Sequence, residues 1–173
     1  MKKLRVAVLG TGAFAEACHV PGLQSHPGAE VVVLCGRNSA RTRAMADRLG
    51  VPEISLDYEQ VCARKDIDAI TIATPNVAHA LQAKAAFSAG KHVFCEKPLG
   101  MNVQEVIEMV RAAERSHAIH QVAFTYRYLH GVQELKCRLL KGDIGEPYHV
   151  RVQYASWEGV KPDAKIGFRE KRD

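Results

Sequence analysis

Short apolar runs and helix-like stretches alternate along most of this chain. Leu4 to Leu9 is a β-rich run, and a helix is expected from about Ala13 to Ser25. Glu30 to Cys35 holds Val31-Val32-Val33-Leu34, the continuous apolar pattern of a parallel strand covered on both faces. Ser39 reads as an N-cap, and Gly50 as the glycine just past the end, of a helix over 40–49. A short strand near Glu53-Ile54-Ser55 and a helix from Asp57 follow. Ala69-Ile70-Thr71-Ile72-Ala73 is another buried strand, ended by Thr74-Pro75-Asn76. A helix over 77–89 stops at Gly90, and Lys91 to Cys95 is a strand leading into Glu96-Lys97-Pro98. Asn102 and Glu105 have the spacing of a capping box. The helix they open carries Val103, Val106, Ile107 and Val110 at i, i+3, i+4 and i+7. A strand over 119–125 completes the series.

Repeated β-α-β units of this kind imply right-handed crossovers and an α/β fold with a doubly wound parallel sheet. Residues 1–125 make one complete dinucleotide-type domain on this count. Residues 126–173 change character. A helix is expected over 131–141 with Leu135, Leu139 and Leu140 inward, ending at Gly142. Tyr148 to Tyr154 then alternates apolar and polar, the period of a half-exposed strand in an antiparallel or mixed sheet. This segment reads as the start of an incomplete α+β second domain. Beyond Trp157, Glu158 to Asp173 is charged and unpatterned.

Composition narrows the function classes. With 173 residues, 47% apolar and 25% charged, the chain matches a globular protein with a real core. The net charge of +5 is spread along the chain, with no basic run interleaved with aromatics. That argues against a nucleic-acid partner. The five cysteines are widely separated and offer neither a zinc site nor a redox dithiol. Cys35 and Cys95 sit in apolar strand patterns, where cysteine acts as a small core residue. Reducing cytosol is the expected compartment. No stretch has the length to span a membrane, and glycines at 10 and 12 interrupt any signal-like start.

The chemistry concentrates in two places. Gly10-Thr11-Gly12-Ala13-Phe14-Ala15 follows a strand and opens a helix, as a G-x-G-x-x-A turn. Its first glycine makes the tight turn and its second lets the backbone approach a pyrophosphate. Ala15 lets the helix pack close, with the helix start facing the phosphates. The bland alternative is a flexible turn, but strand, helix and second strand arrive in the expected order. A Rossmann-type nucleotide site is therefore expected. At the ribose position, about 20 residues on, NAD-binding chains carry an acidic group. Here Gly36-Arg37-Asn38 stands instead. A guanidinium suits a 2′-phosphate, so NADP is expected ahead of NAD, unless Arg37 is only an exposed loop cation.

In doubly wound sheets, ligands collect at the carboxyl ends of strands where the order reverses. Thr74, Asn76 and Lys97 should converge there, beside the fingerprint turn. Oxidising an alcohol sends a hydride to the cofactor and a proton to a base. Lysine, with a reference pKa of about 10.4, becomes a better base when buried or beside a cation. In the reduction direction its ammonium polarises or protonates the carbonyl. Pro98 fixes the chain's exit, and a cis Lys97-Pro98 bond is compatible with the motif. Lys97 as a plain surface cation is the competing reading.

Gly10-Thr11-Gly12-x-x-Ala15, Thr74-Pro75-Asn76-x-x-His79 and Gly90-Lys91-His92-Val93-x-Cys95-Glu96-Lys97-Pro98 occur in that order. With Tyr126-Arg127-Tyr128 and Gly142-Asp143-Ile144-Gly145, they resemble the glucose–fructose oxidoreductase and inositol dehydrogenase family, written Gfo/Idh/MocA. The resemblance implies NAD(P)-dependent oxidoreduction of a sugar, polyol or related small molecule. It implies Lys97 as the catalytic lysine. Gly10, Thr11, Gly12, Ala13, Phe14, Arg37, Thr74, Pro75, Asn76, Glu96, Lys97, Pro98 and Arg127 would surround the cofactor, and no metal is implied. His79 either caps and packs or takes part in the chemistry; both stay open.

Such family members carry a second domain that binds substrate, commonly mediates homo-oligomerisation, and supplies an aspartate and a histidine on a helix. The sequence ends before such a segment would be expected, and neither His130, placed in a loop, nor His149, placed on a strand, is assigned that role. Three readings follow: a family dehydrogenase represented by a truncated chain, an NADP-binding sensor without catalysis, or an inactive truncated product.

Overall fold

The structure, a computed structural model, describes residues 2–155. The chain divides into two compact units, one ending at Arg127 and one beginning at Tyr128.

The first unit is built on six parallel strands: β1 (Leu4–Leu9), β2 (Ala29–Cys35), β3 (Glu53–Ser55), β4 (Ala69–Ile72), β5 (His92–Cys95) and β6 (His120–Val122). They stand in the order β3-β2-β1-β4-β5-β6. A π-helical turn, Ala15–His19, runs into α1 (Val20–Ser25). The remaining crossovers carry α2 (Ser39–Leu49), α3 (Tyr58–Ala63), α4 (His79–Ser88) and α5 (Val103–Ser116). This is the expected Rossmann-type doubly wound sheet. The chain winds from β1 out to β3, returns to β4 beside β1, and continues the other way. Strand order therefore reverses between β1 and β4, which opens a crevice at their carboxyl ends.

Both faces of the sheet are covered, as the continuous apolar runs require. Ala7 and Leu9 of β1 belong to one core with Ile70, Ile72, Val93 and Phe87. Val8, between them, joins the other with Leu34, Ala15, Val20 and Met45. Full burial of a side chain such as Ile70 contributes roughly 1.5–3 kcal/mol. A bulge interrupts the alternation in β2: Val6 pairs with Val31 but Ala7 with Val33. Val32 is the extra residue, so Val32 and Val33 both face the first core.

Helix ends follow local chemistry, with one correction. Asn38, not Ser39, caps α2, its Oδ1 accepting the Arg41 N–H at 2.9 Å, and Ser39 is the first helical residue. The amide oxygen reaches the third N–H beyond it, as N-caps of this type do. Gly50 ends α2 with φ +65°, and Asp57 caps α3. Asn102 Oδ1 accepts the Glu105 N–H at 2.9 Å, while Glu105 reaches back to the N–H of Met101. In α5 the apolar repeat is not the buried face: Met109, Ala112 and Ala113 are buried, whereas Val103, Ile107 and Val110 are exposed. Alanines permit closer approach to the neighbouring α4 than the branched residues would.

In the second unit, α6 (His130–Lys141) ends at Gly142 with φ +77°. His130 therefore opens a helix rather than lying in a loop. Leu135, Leu139 and Leu140 are exposed, not inward. Residues 148–155 form no strand, so His149 is on none. A helical stripe is buried only against a covering surface, and a strand forms only against a partner. The described residues of this unit supply one helix and no sheet. The charged segment Glu158 to Asp173 lies outside the described residues.

Candidate functional site

The glycine turn closes where β1 ends. Gly10 adopts φ +117°, and a Cβ there would collide with the Ala73 peptide, whose carbonyl carbon would lie 2.6 Å away. Gly10 N–H donates to the Cys35 carbonyl of β2 at 2.8 Å, and Ala73 N–H to the Leu9 carbonyl at 2.8 Å. The turn is thus pinned to the strands on both sides. Gly12 differs: a Cβ there would meet nothing within 4 Å. The backbone at Gly12 is open to an approaching ligand, as a pyrophosphate cradle must be. Helical structure begins at Ala13 and Phe14, the Glu16 N–H donating to the Gly12 carbonyl at 3.1 Å. Ala15 is fully buried against the sheet. These residues fit a dinucleotide.

At the end of β2, Gly36 meets the same turn. A Cβ on it would lie 2.7 Å from Thr11 Cγ2 and would collide with the Thr42 hydroxyl. Only glycine lets the turn and the start of α2 close together. Arg37 follows, exposed, with no hydrogen-bond partner among the described residues.

At the end of β4, Thr74 Oγ1 and Gln82 Oε1 lie 2.6 Å apart, the hydroxyl donating. Pro75 leads into the 3-10 turn Asn76–Ala78. His79 is fully buried, with Nδ1 2.8 Å from the Pro98 carbonyl and Nε2 2.8 Å from the Thr74 carbonyl. It ties the end of β4 to the segment after β5, and both ring nitrogens are engaged. Of the two roles left open for it, capping and packing is the one this geometry describes.

Glu96 continues β5, donating its N–H to the Ile72 carbonyl at 2.9 Å. Its carboxylate is buried, Oε1 lying 3.0 Å from His19 Nε2 and Oε2 accepting the Lys97 N–H at 3.2 Å. The His19 ring meets the Phe14 and Phe94 rings edge-on, with centroids 5.3 and 5.7 Å away. Burial, and then the charge of Glu96, push the Cys95 thiol up to about 12, which leaves it inert as a nucleophile. The Lys97-Pro98 bond is cis. Lys97 itself is exposed. It stands at a strand's carboxyl edge, where the described residues leave it uncovered. Arg127 lies one strand further on, in the 3-10 turn Thr125–Tyr128 after β6, its N–H donating to the Phe124 carbonyl at 3.0 Å.

The topology therefore brings Gly10 to Phe14, Thr74 to Asn76 and Glu96 to Pro98 to the ends of the adjacent strands β1, β4 and β5. Arg37 and Arg127 stand at the ends of β2 and β6, on either side. Sequence reasoning missed His19, Gln82 and the packing role of Gly36. A histidine four residues after Ala15 was the available signal for the first, but a π turn there shifts the helical phase that periodicity assumes.

The chain is 35% identical over 146 residues to an inositol 2-dehydrogenase of Rhodococcus erythropolis, covering 83% of this chain and 42% of that protein. It is 33% identical over 138 residues to D-xylose 1-dehydrogenase (NADP(+)) 2 of Haloferax volcanii, covering 80% and 42%. Among solved structures, it superposes on scyllo-inositol dehydrogenase from Lactobacillus casei, which has bound NAD(H) and scyllo-inositol. The TM-score is 0.78 at 25% identity, over 84% of this chain and 43% of that one. The chain thus spans less than half the length of these relatives. Residues 4–124 match the GFO_IDH_MocA oxidoreductase family, described by its NAD-binding Rossmann fold, and the chain belongs to that family.

Proposed function

We propose that this chain holds the cofactor of an oxidoreductase that moves a hydride between NADP, in preference to NAD, and a sugar, polyol or related carbonyl or alcohol. The observation that carries this reading is the convergence of a glycine turn open at Gly12, after β1, with the Glu96-Lys97-Pro98 segment, after β5, across the single intervening strand β4 and beside the reversal of strand order. When bound, the nicotinamide supplies or accepts the hydride. Gly10, Thr11, Gly12, Ala13 and Phe14 hold the pyrophosphate, and Arg37 meets the 2′-phosphate. Thr74, Pro75, Asn76, Glu96 and Pro98 border the nicotinamide end, with Arg127 beside them. Lys97 donates a proton to the substrate oxygen in reduction and accepts one, as the free amine, in oxidation. The substrate class rests on the names of the inositol and xylose relatives. Residues 126–173 begin a second, substrate-binding domain that also pairs subunits. The free cysteines fit reducing cytosol, and no described helix is long and apolar enough to cross a membrane.

The test is titration of NADPH and NADH, followed by a panel of aldoses and polyols with NADP⁺. Saturable NADPH binding, turnover of at least one panel member, and its loss in Lys97→Ala with binding retained are expected. NADPH binding without turnover of any substrate would make the chain a sensor and overturn the reading. Failure to bind either cofactor would favour an inactive product.

A further inference from the structure

We propose that His19 is a positioning residue for Lys97, acting through Glu96. It occupies the carboxylate that would otherwise capture the lysine ammonium. The functional meaning rests on Lys97 being the proton-transfer group, as proposed above.

Glu96 and Lys97 are adjacent in sequence, so this carboxylate is the acid tethered nearest to the ammonium along the chain. The two do not pair: among the described residues, Lys97 Nζ makes no ion pair. The Glu96 carboxylate is turned inward, its side chain only 11% exposed. Both of its oxygens are taken. Nε2 of His19 holds Oε1 at 3.0 Å, and the backbone N–H of Lys97 itself holds Oε2 at 3.2 Å. A buried carboxylate is tolerated only when its oxygens find donors, and the ring supplies one of the two.

The ring cannot easily leave. It is 6% exposed, sits in the π turn after the glycine motif, and is flanked edge-on by Phe14 and Phe94. π turns recur at functional sites because they redirect side chains out of helical register. His19 thereby connects the helical segment after β1 to the end of β5, over the intervening β4. Without it, Oε1 would be a buried charged acceptor lacking its donor, a costly state. The donor next along the chain is the Lys97 ammonium. Turning toward it would satisfy the carboxylate and withdraw the lysine from substrate.

Competitive labelling of Lys97 with an amine acylating reagent, read by peptide mass, tests this without cofactor or substrate. His19→Leu is expected to slow acylation of Lys97 about fivefold, the scale of an exposed ion pair. His19→Gln, whose amide nitrogen reaches toward the Nε2 position, restores the rate. The double variant His19→Leu with Glu96→Gln restores it too, because no carboxylate remains to capture the ammonium. A solely structural role predicts that the double variant is no better than the single, and that outcome overturns the proposal. So does unchanged labelling in a folded His19→Leu. If His19→Leu fails to fold, recovery of wild-type labelling in His19→Gln supports the proposal, and slow labelling in a folded His19→Gln refutes it. Where turnover is measurable, kcat falls about tenfold in His19→Leu with KM and NADPH affinity little changed. Absence of turnover in the wild type refutes the proposed function while the labelling result still stands.

Discussion

The peptide of Ala73 occupies the space a Cβ on Gly10 would need, with its carbonyl carbon 2.6 Å from that position. Backbone cannot rotate away as a side chain can, and φ +117° already disfavours any other residue. Gly10→Ala is expected to lower stability by at least roughly 1–3 kcal/mol, read by urea denaturation. Gly12→Ala is the contrast, because its added methyl meets nothing within 4 Å. It should unfold within about 0.5 kcal/mol of wild type yet bind NADPH at least tenfold more weakly. Unchanged NADPH affinity in Gly12→Ala would mean that the turn does not hold the phosphates.

Arg37 is exposed at the end of β2, where neither its charge nor its stem supports the core. Arg37→Ala should leave the melting temperature unchanged. Hydrogen bonds to charged groups are worth roughly 1.5–3 kcal/mol, so NADPH affinity should fall by at least tenfold while NADH affinity barely moves. Equal losses for the two cofactors would show that the guanidinium stacks on the adenine without reading the 2′-phosphate.

How much of this was legible depended on how local the cause was. The six strands and their doubly wound arrangement follow from apolar runs and short connections, and the predicted span of β1 agrees with the structure to the residue. Gly10 was legible because a tight turn leaves a mark in one residue. The cap of α2 was missed by one position, since Asn38 and Ser39 are both good capping residues and only geometry chooses between them. The bulge at Val32 was hidden, because a run of valines has no phase to betray an extra residue. His19 and Glu96 are 77 positions apart, and no local pattern announces a contact made by folding. The leucines of α6 show the opposite failure: the pattern promises burial, but a pattern cannot supply the surface that buries it.

His79 makes a different prediction from the residues around it. Its two ring nitrogens each lie 2.8 Å from a carbonyl, in two different loops, and it is fully buried. His79→Ala should cost roughly 2–5 kcal/mol from the cavity and the lost hydrogen bonds. Each kcal/mol lowers the melting temperature by about 2–4 °C in a chain of this size. A loss below about 1 kcal/mol would show that the two loops hold themselves.

At the amino ends of the strands, Arg64 reaches Glu53 and Asp66, and Arg5 reaches Glu30 and Asp66. The Arg64 guanidinium, through hydrogen bonds, holds the Asp66 and Glu53 carboxyls below their ordinary values. Because folding lowers these values, the stabilisation is present above the unfolded pKa of about 4 and is lost as pH falls through the folded values. Arg64→Gln should therefore flatten the acid side of the stability profile below about pH 4, and added salt should do so in part. NADPH affinity should not change, since these residues lie at the opposite end of the sheet from Gly12. A steep acid limb that survives Arg64→Gln would assign the acid sensitivity to other carboxyls.

The cysteines offer a check on the fold that needs no ligand. Burial, as the leading cause, pushes the Cys35 and Cys62 thiols up to about 11 and Cys95 to about 12. At pH 8 their reactive thiolate is on the order of 0.1% or less, against about a quarter for an ordinary thiol near 8.5. Cys18 and Cys137 are exposed. Iodoacetamide at pH 8 should therefore modify two cysteines quickly in the native chain and all five in denaturant. Rapid modification of Cys95 would be the most damaging result. That residue lies in β5 directly before Glu96, and its accessibility would mean that the strand carrying Lys97 opens in solution.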